Sequence, residues 1–298
     1  MTSVVIAARN EAAVLGRCLD SLLANAELGE FDIVVVANGC TDDTARIAAS
    51  RRDVRVIDRV EPGKAGALNA GDAAARGFPR FYLDADVALT SADLREMAGA
   101  VRAPTAGGAG LLAAAPRREL DLKGSPLAVR AFYAINSRLP VYRDGLFGRG
   151  VIALAEQGRA RFTQFPNMVA DDLFLDSLFA ATEKCQVDQV TATICTPRTT
   201  RDLLRRLIRV RAGNAAMRAA AGSANAPATV RRAARLSWLA DVVLPRPWLL
   251  PAALCYVTLT LVASHLARQV NDAPTSWGRD ESSRQVVAAS ISGDGDAG

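Results

Sequence analysis

Val4-Val5-Ile6-Ala7-Ala8-Arg9-Asn10-Glu11 begins three residues into the chain. Five apolar residues led by β-branched types, then an abrupt polar break, read as a short strand buried on both faces, the kind found in parallel sheets. Working outward, Asn10-Glu11 opens a helix with apolar positions at Val14, Leu15, Leu19, Leu22 and Leu23. Ile33–Val36 is a second buried strand closed by Asn38-Gly39, and Thr41-Asp42-Asp43-Thr44 caps a helix over Ala45–Ser50. Val54–Ile57 is a third strand. Pro62-Gly63-Lys64-Ala65-Gly66 reads as a loop before a helix from about Ala67 to Arg76, and Phe81–Leu83 is a fourth strand ending at Asp84-Ala85-Asp86. Strand and helix alternating at this spacing predict an α/β fold with a mostly parallel sheet and helices on both faces. Ligands of such sheets lie outside the carboxyl ends of the strands, where Asn10, Glu11, Asn38, Asp84 and Asp86 fall.

Further on, residues 91–100 and 126–140 read as helices, and residues 104–116, with Gly107-Gly108, as a loop into a further strand. Gly145–Gly150 is a second glycine-rich turn before an apolar run from Val151 to Ala155. Asp171-Asp172 opens a helix over Leu173–Ala181, and Val187–Cys195 is a strand. The character then changes. From Arg198 to Arg235 there are ten arginines against one acid, Asp202, interleaved with Leu203, Leu204, Leu207, Ile208 and Val210. This reads as a basic amphipathic helix suited to an anionic membrane surface, or equally as a solvated face. Ala221–Ala228 is a small-residue linker. Trp248–Ala267 runs twenty residues without formal charge between Arg246 and Arg268. At ~1.5 Å rise that is about 30 Å, the hydrocarbon thickness, and a buried or dimer-forming helix is the alternative to a spanning one. The expected organisation is a catalytic domain over 1–197, a basic interfacial segment over 198–236, a membrane-associated segment over 237–270 and a disordered tail over 271–298.

Composition narrows the function. The 298 residues are 50% hydrophobic and 22% charged, enough to bury a core and too apolar for a disordered protein. Five scattered cysteines without a C-x-x-C pair exclude a disulfide scaffold and a cysteine zinc site. The single histidine, His265, leaves no multi-histidine metal site. Net charge is +5, which suits nucleic acid, an anionic membrane or phosphate-bearing substrates. The first residues enter a strand directly, too early for a signal peptide, so the catalytic part is expected at the cytoplasmic face of the membrane, single-pass or peripheral.

Three stretches can carry chemistry. Asp84-x-Asp86 at a strand end places two carboxylates where they can share a hard divalent cation, which binds oxygen and bridges nucleotide phosphates; a pair of turn-capping aspartates fits the triplet too. In Pro62–Gly71 the glycines admit a close ligand, Lys64 supplies a point charge and a helix N-terminus follows, without a Walker pattern; an ordinary loop before an Ala-rich helix is the alternative. Asp171-Asp172 reads as two carboxylates favoured by a helix N-terminus, or as a site whose one member takes a proton from an acceptor hydroxyl.

The order of these pieces resembles the ordered motifs of family 2 inverting glycosyltransferases with the GT-A fold. Those pieces are Ala8-Arg9-Asn10-Glu11, Val36–Asp42, Gly63–Asn69, Asp84-Ala85-Asp86 and Asp171–Leu175, and the resemblance covers residues 3 to about 215. It implies a nucleotide-diphosphate sugar donor (a UDP- or GDP-sugar), a hydroxyl acceptor that is lipid-linked or membrane-proximal, and Mg²⁺ or Mn²⁺. It places Ala8, Arg9 and Glu11 at the nucleotide pocket, Asn38 and Asp42 near the base, Lys64 near base or phosphate, Asp84 at the nucleoside and Asp86 on the metal. Gly148-Arg149-Gly150 would be the turn near donor sugar and acceptor, and Asp171-Asp172 the acidic pair, with Asp172 as base. Asp171 stands where the family has Glu, and Ala37 where it has a polar residue. Arg206-Leu207-Ile208-Arg209-Val210 keeps only the arginine of the membrane synthases' Q-x-x-R-W; the resemblance implies that Arg209 steadies the diphosphate, and a basic surface helix accounts for it equally well. A nucleotidyltransferase of the same fold would need a glycine-rich basic run after the first strand, which Ala8–Glu11 lacks. A non-enzymatic basic binder of nucleic acid or membrane leaves the acidic motifs unexplained, and 5% aromatic residues offer little for base stacking; no nucleic-acid partner is expected.

Overall fold

A computed structural model describes residues 1–103, 110–167, 170–220 and 236–269. The expected Gly107-Gly108 loop, the 221–228 linker and the 271–298 tail lie outside the described residues. In chain order the elements are β1 (Thr2–Ala8), α1 (Ala12–Leu23), β2 (Phe31–Asn38), α2 (Thr44–Ala49), β3 (Val54–Arg59), α3 (Lys64–Ala74), β4 (Arg80–Asp84) and α4 (Ser91–Arg102). There follow β5 (Ala113–Asp121), α5 (Leu127–Asn136), α6 (Pro140–Asp144), β6 (Val151–Leu154), α7 (Glu156–Arg159), α8 (Asp171–Ser177), β7 (Lys184–Cys195) and α9 (Thr200–Ala220). A π-helical turn (Trp238–Val243), a 3-10 turn (Pro247–Leu249) and α10 (Leu250–Gln269) complete the described chain. It forms two compact units. The first comprises Met1–Glu119, Leu146–Asn167 and Leu175–Ile194; the second comprises Leu120–Gly145, Met168–Phe174 and the chain from Cys195 on.

The first unit is built on a seven-stranded sheet in the order β3-β2-β1-β4-β6-β5-β7. β1 pairs in parallel with β2 and β4, and β2 with β3, while β6 runs antiparallel to both β4 and β5. The period-two alternation of side chains sorts the helices. Val4, Ile6 and Ala8 point into a cluster with Leu15, Cys18 and Leu19 of α1 and Leu94 and Met97 of α4. Val5 and Val36 face the other way, and there Gly71 of α3 lies so close that an added Cβ would collide with Val5. Both faces are therefore covered, which explains why these strands read as continuous apolar runs. Each fully buried Val, Leu or Ile contributes about 1.5–3 kcal/mol relative to exposure. α4 starts as its sequence dictates: Thr90 accepts from the Asp93 N–H, and the Asp93 carboxylate accepts from the Thr90 N–H, closing a capping box.

Two boundaries differ from the sequence reading. The expected loop at Pro62–Gly66 is half helix, because α3 begins at Lys64 rather than near Ala67. The Gly63 carbonyl already accepts from the Ala67 N–H at 3.0 Å, and the Gly63 N–H is held by the Asn38 side chain. β7 starts at Lys184, three residues before the apolar run, because the Lys184 ammonium is buried in an ion pair with Asp176.

In the second unit α5, α9 and α10 pack around two small cores. Val129, Phe132, Tyr133 and Leu203 form one, joined by Leu207, Tyr256 and Leu259. Ile135, Leu139, Val242, Val243 and Ala253 form the other. The expected basic helix is present as α9: Leu203 is buried, whereas Arg201 and Arg205 are exposed. Its start is capped by Thr199, whose hydroxyl accepts from the Asp202 N–H at 3.1 Å.

Candidate functional site

The register of the parallel strands brings the polar residues after them to one edge. Ala8 lies opposite Ala37, Ala7 opposite Asp84, and Asn38 opposite Arg59. Asn38 is fully buried and ties two strand ends to the start of α3: its Nδ2 donates to the Ala8 carbonyl at 2.8 Å, and its Oδ1 accepts from the Gly63 N–H at 3.0 Å. Gly39 is in the left-handed region at φ 59° and passes so close to Pro62 that a Cβ would sit 2.9 Å from the proline ring. The loop after β1 is fastened to the loop after β2. The Thr41 N–H donates to Asn10 Oδ1 at 2.8 Å, the Glu11 N–H to Thr44 Oγ1 at 2.7 Å, and the Ala12 N–H to Asp42 Oδ2 at 3.1 Å. Asp42 also accepts from the Thr44 N–H and hydroxyl. Asn10 sits at φ 51°, a conformation its short amide side chain tolerates.

At the neighbouring strand end Lys64, the first residue of α3, donates from Nζ to Asp84 Oδ1 at 2.9 Å. Both side chains are partly exposed. Asp86, two residues on, is exposed. The Asp84 N–H donates to the Gly150 carbonyl at 2.7 Å, so the Gly148–Gly150 turn reaches the same edge through the antiparallel strand β6. Gly150 is left-handed at φ 70°, and a Cβ there would collide with Val87 and lie 3.6 Å from Asp84 Oδ2. Beneath this edge Cys18 is buried. Burial, together with the nearby Asp86 and Asp84 charges, pushes its thiol up to about 12.

Of the residues expected at the site, Ala8, Arg9, Glu11, Asn38, Asp42, Lys64, Asp84, Asp86, Gly148 and Arg149 all belong to the first unit. Ala8, Asn38 and Arg149 are buried. Ala8 is in the core. Arg149 is buried, with its guanidinium on β5 and β7, where it donates to the Pro116 carbonyl at 2.5 Å and to Gln186. Burial and the nearby Arg118 lower it to about 10, with Asp176 and Asp188 opposing the shift. Arg9 is half-buried, Glu11 buried and Asp42 exposed. Asp171, Asp172 and Arg209 belong to the second unit. Asp171 and Asp172 form the first turn of α8, half-exposed, and Asp172 Oδ1 accepts from the Leu173 N–H at 2.8 Å. Arg209 is half-buried on α9.

Sequence reasoning missed the supporting residues: Thr44, whose hydroxyl joins two loops, and Asp176, which accepts from the Leu146 N–H at 2.8 Å just before the glycine turn and pairs with Lys184. An isolated Lys184 ahead of an apolar run was the available signal. Among the described residues no three His, Cys, Asp or Glu side chains group closely enough to hold a metal alone. Exposed Asp86 beside Asp84 nevertheless suits an ion such as Mg²⁺, which is bound through one or two carboxylates plus substrate phosphates rather than by an all-protein cage.

Residues 3–143 match the family model described as Glycosyl transferase family 2. A PGL/p-HBAD biosynthesis glycosyltransferase of Mycobacterium bovis is 39% identical over 98 residues, 31% of this chain and 38% of that protein. An uncharacterized glycosyltransferase, EpsJ, of Bacillus subtilis is 32% identical over 96 residues, 31% of this chain and 28% of that one. The matches thus span less than half the length of these relatives. The solved mannosyltransferase PcManGT of Pyrobaculum calidifontis, in complex with GDP-Man and Mn²⁺, superposes with a TM-score of 0.58 at 20% identity, covering 99% of this chain and 88% of that one. TarS 1-349 of S. aureus, in complex with UDP, superposes at 0.50 with 15% identity, covering 94% of each chain. The fold is GT-A-like, and residues 3–143 are similar to family 2 glycosyltransferases.

Proposed function

We propose that this chain is an inverting glycosyltransferase that moves a sugar from a nucleoside-diphosphate donor, a UDP- or GDP-sugar, to a hydroxyl acceptor that is lipid-linked or membrane-proximal. The observation that carries the proposal is the edge where Lys64 Nζ lies 2.9 Å from Asp84 with exposed Asp86 two residues on. One cationic point charge and two hard carboxylates, set at the carboxyl ends of parallel strands, match the charges of a diphosphate and its counter-ion. The ligands named for the two superposed structures, GDP-Man with Mn²⁺ and UDP, support the same class of donor.

In this proposal the fastened loops after β1 and β2 bound the nucleoside, with Arg9, Glu11 and Asp42 along them. Lys64 attracts the diphosphate, and Asp84 orients Lys64 and the nucleoside. Asp86 would hold Mg²⁺ or Mn²⁺, which supplies charge neutralisation for the departing diphosphate. Asp172 accepts the proton of the acceptor hydroxyl as its oxygen attacks the anomeric carbon and the bond to the diphosphate oxygen breaks. One displacement from the opposite face inverts the configuration, and no covalent enzyme intermediate is required. Asp171 opens the same helix and helps set the carboxylate of Asp172; Arg209 adds positive charge for the leaving diphosphate. The acid-base and acceptor functions are assigned to the second unit and donor binding to the first. The cytoplasmic face of the membrane is the proposed location.

A thermal-shift series with UDP, GDP and their sugars, each with and without Mn²⁺, tests this. One diphosphate is expected to raise the melting temperature, and Mn²⁺ to enlarge the rise, because a ligand at 100 times its Kd adds about 2.7 kcal/mol. No shift with any nucleotide would refute it.

A further inference from the structure

Pro247–Gln269, 23 residues, is long and apolar enough to cross a membrane by length and composition. Its surroundings decide how it would meet one. One side of α10 is docked within the second unit. Ala253, Ala263 and Ala267 are buried, Tyr256 stacks on Phe132 with ring centroids 5.2 Å apart, and the Cys255 thiol donates to the Ala128 carbonyl at 3.5 Å. Tyr256 and Leu259 pack against the core of Val129, Phe132, Tyr133 and Leu203. Among the described residues the opposite side is exposed. Leu254 is 66% exposed, Leu261 62% and Trp248 72%, with Leu250 and Val262 beside them. Positions 250, 254, 258, 261 and 265 follow one helical stripe, whose polar members, Thr258 and His265, are exposed too.

A helix crossing hydrocarbon would drag its packed neighbours with it. Those neighbours expose Arg130 and Arg138 on α5 and Arg201 on α9, and charges at that depth are tolerated only when paired or facing water. Lying in the interface avoids this: the stripe reaches the acyl chains while the arginines stay at headgroup level. We propose that α10 is an in-plane anchor, not a spanning helix. Trp248, Leu250, Leu254, Leu261 and Val262 enter one leaflet, and exposed Arg246 and Arg268 at its two ends engage anionic lipid headgroups. A second copy of the chain complements this face poorly. Two-fold pairing along the stripe sets Arg246 against the copy's Arg246 or Arg268, like charge against like, whereas an anionic bilayer complements both ends. The inference rests on the proposed function only for its purpose, which is to hold the enzyme beside a membrane-proximal acceptor.

The test is flotation of the full chain with vesicles of phosphatidylcholine, alone or mixed with phosphatidylglycerol. The expected result is flotation with the anionic vesicles and release by carbonate at high pH. Leu254→Glu with Leu261→Glu, both at exposed positions, should lower the bound fraction about tenfold or more with the thermal melt unchanged. Arg246→Gln with Arg268→Gln should reduce binding to anionic vesicles towards the level on neutral ones. Resistance to carbonate would mean a crossing helix and overturn the proposal. So would absence of flotation, or flotation indifferent to the glutamates. A dimer in light scattering that the glutamates disperse, without flotation, would give the stripe to a second copy and overturn it too. Nucleotide binding, measured on the same preparation, stands apart: its loss would refute the proposed function and leave the anchor intact.

Discussion

Asn38→Ala separates a structural role from a base-reading one. The Asn38 side chain is fully buried, and both of its polar ends are engaged, with the Ala8 carbonyl at 2.8 Å and the Gly63 N–H at 3.0 Å. Alanine leaves the buried Ala8 carbonyl and the half-buried Gly63 N–H without these partners. Each unsatisfied buried backbone group costs about 1–3 kcal/mol, so the loss should be about 2–5 kcal/mol. At roughly 2–4 °C per kcal/mol for a protein of this size, the melting temperature should fall by about 5–15 °C. Differential scanning fluorimetry and urea denaturation measure the loss. The same change unpins Gly63 from the end of β2 and so loosens the start of α3, where Lys64 sits. Diphosphate binding should weaken by a similar factor for every nucleobase. If melting moved by less than about 1 °C while the preference between uridine and guanosine nucleotides changed, Asn38 would be a base-contacting residue and the pinning argument would fail.

Three further outcomes follow from the same geometry. Gly150→Ala forces a Cβ into Val87 at a left-handed position; it should cost about 1–3 kcal/mol and weaken Mn²⁺-dependent donor binding through the Asp84–Asp86 turn, and unaltered binding with unaltered stability would count against that coupling. Lys184→Met strands the buried Asp176 carboxylate and should destabilise by about 3–5 kcal/mol in urea titration, with Asp176→Leu added to it recovering much of the loss; a neutral single variant would show that the pair is not needed. Cys18 is pushed from 9.0 to about 12 in the fold, so the native state holds that proton more tightly than the unfolded chain; its contribution is full below about pH 9 and drains away as pH climbs towards 12. The urea midpoint of the parent should therefore fall more between pH 8 and pH 10.5 than that of Cys18→Ala, and parallel curves would refute the burial argument.

The parallel half of the sheet was legible because Val4–Ala8 and Ile33–Val36 are apolar throughout, the mark of strands covered on both faces. The carboxyl-end position of Asp84 and Asp86 followed from that. The antiparallel insertion of β6 beside β4 was not legible, since Val151–Leu154 is too short to declare its partner. Lys64 was visible as a rare lysine between glycines, but its place on the first helical turn depends on Asn38, 25 residues away in sequence, and no local pattern reports that contact. The surroundings of Arg149 were not legible either. The resemblance gives Gly148-Arg149-Gly150 as a turn, and no local pattern reports that the guanidinium is buried against Pro116 and Gln186, 33 and 37 residues away in sequence. α10 reads as apolar all round, so periodicity could not reveal that only one side of it is packed.

In the proposed reaction two carboxylates far apart in sequence have separate roles, Asp86 in donor binding with a divalent ion and Asp172 in deprotonating the acceptor. The measurement that tests it most directly is donor affinity by titration calorimetry, with and without Mn²⁺, beside release of nucleoside diphosphate, on Asp86→Ala and Asp172→Asn. Asp86→Ala should lose the Mn²⁺-dependent part of the affinity. Asp172→Asn should bind donor within about twofold of the parent yet turn over about 10²–10⁴-fold more slowly. Normal turnover by Asp172→Asn, or Mn²⁺-dependent binding that survives in Asp86→Ala, would contradict the account.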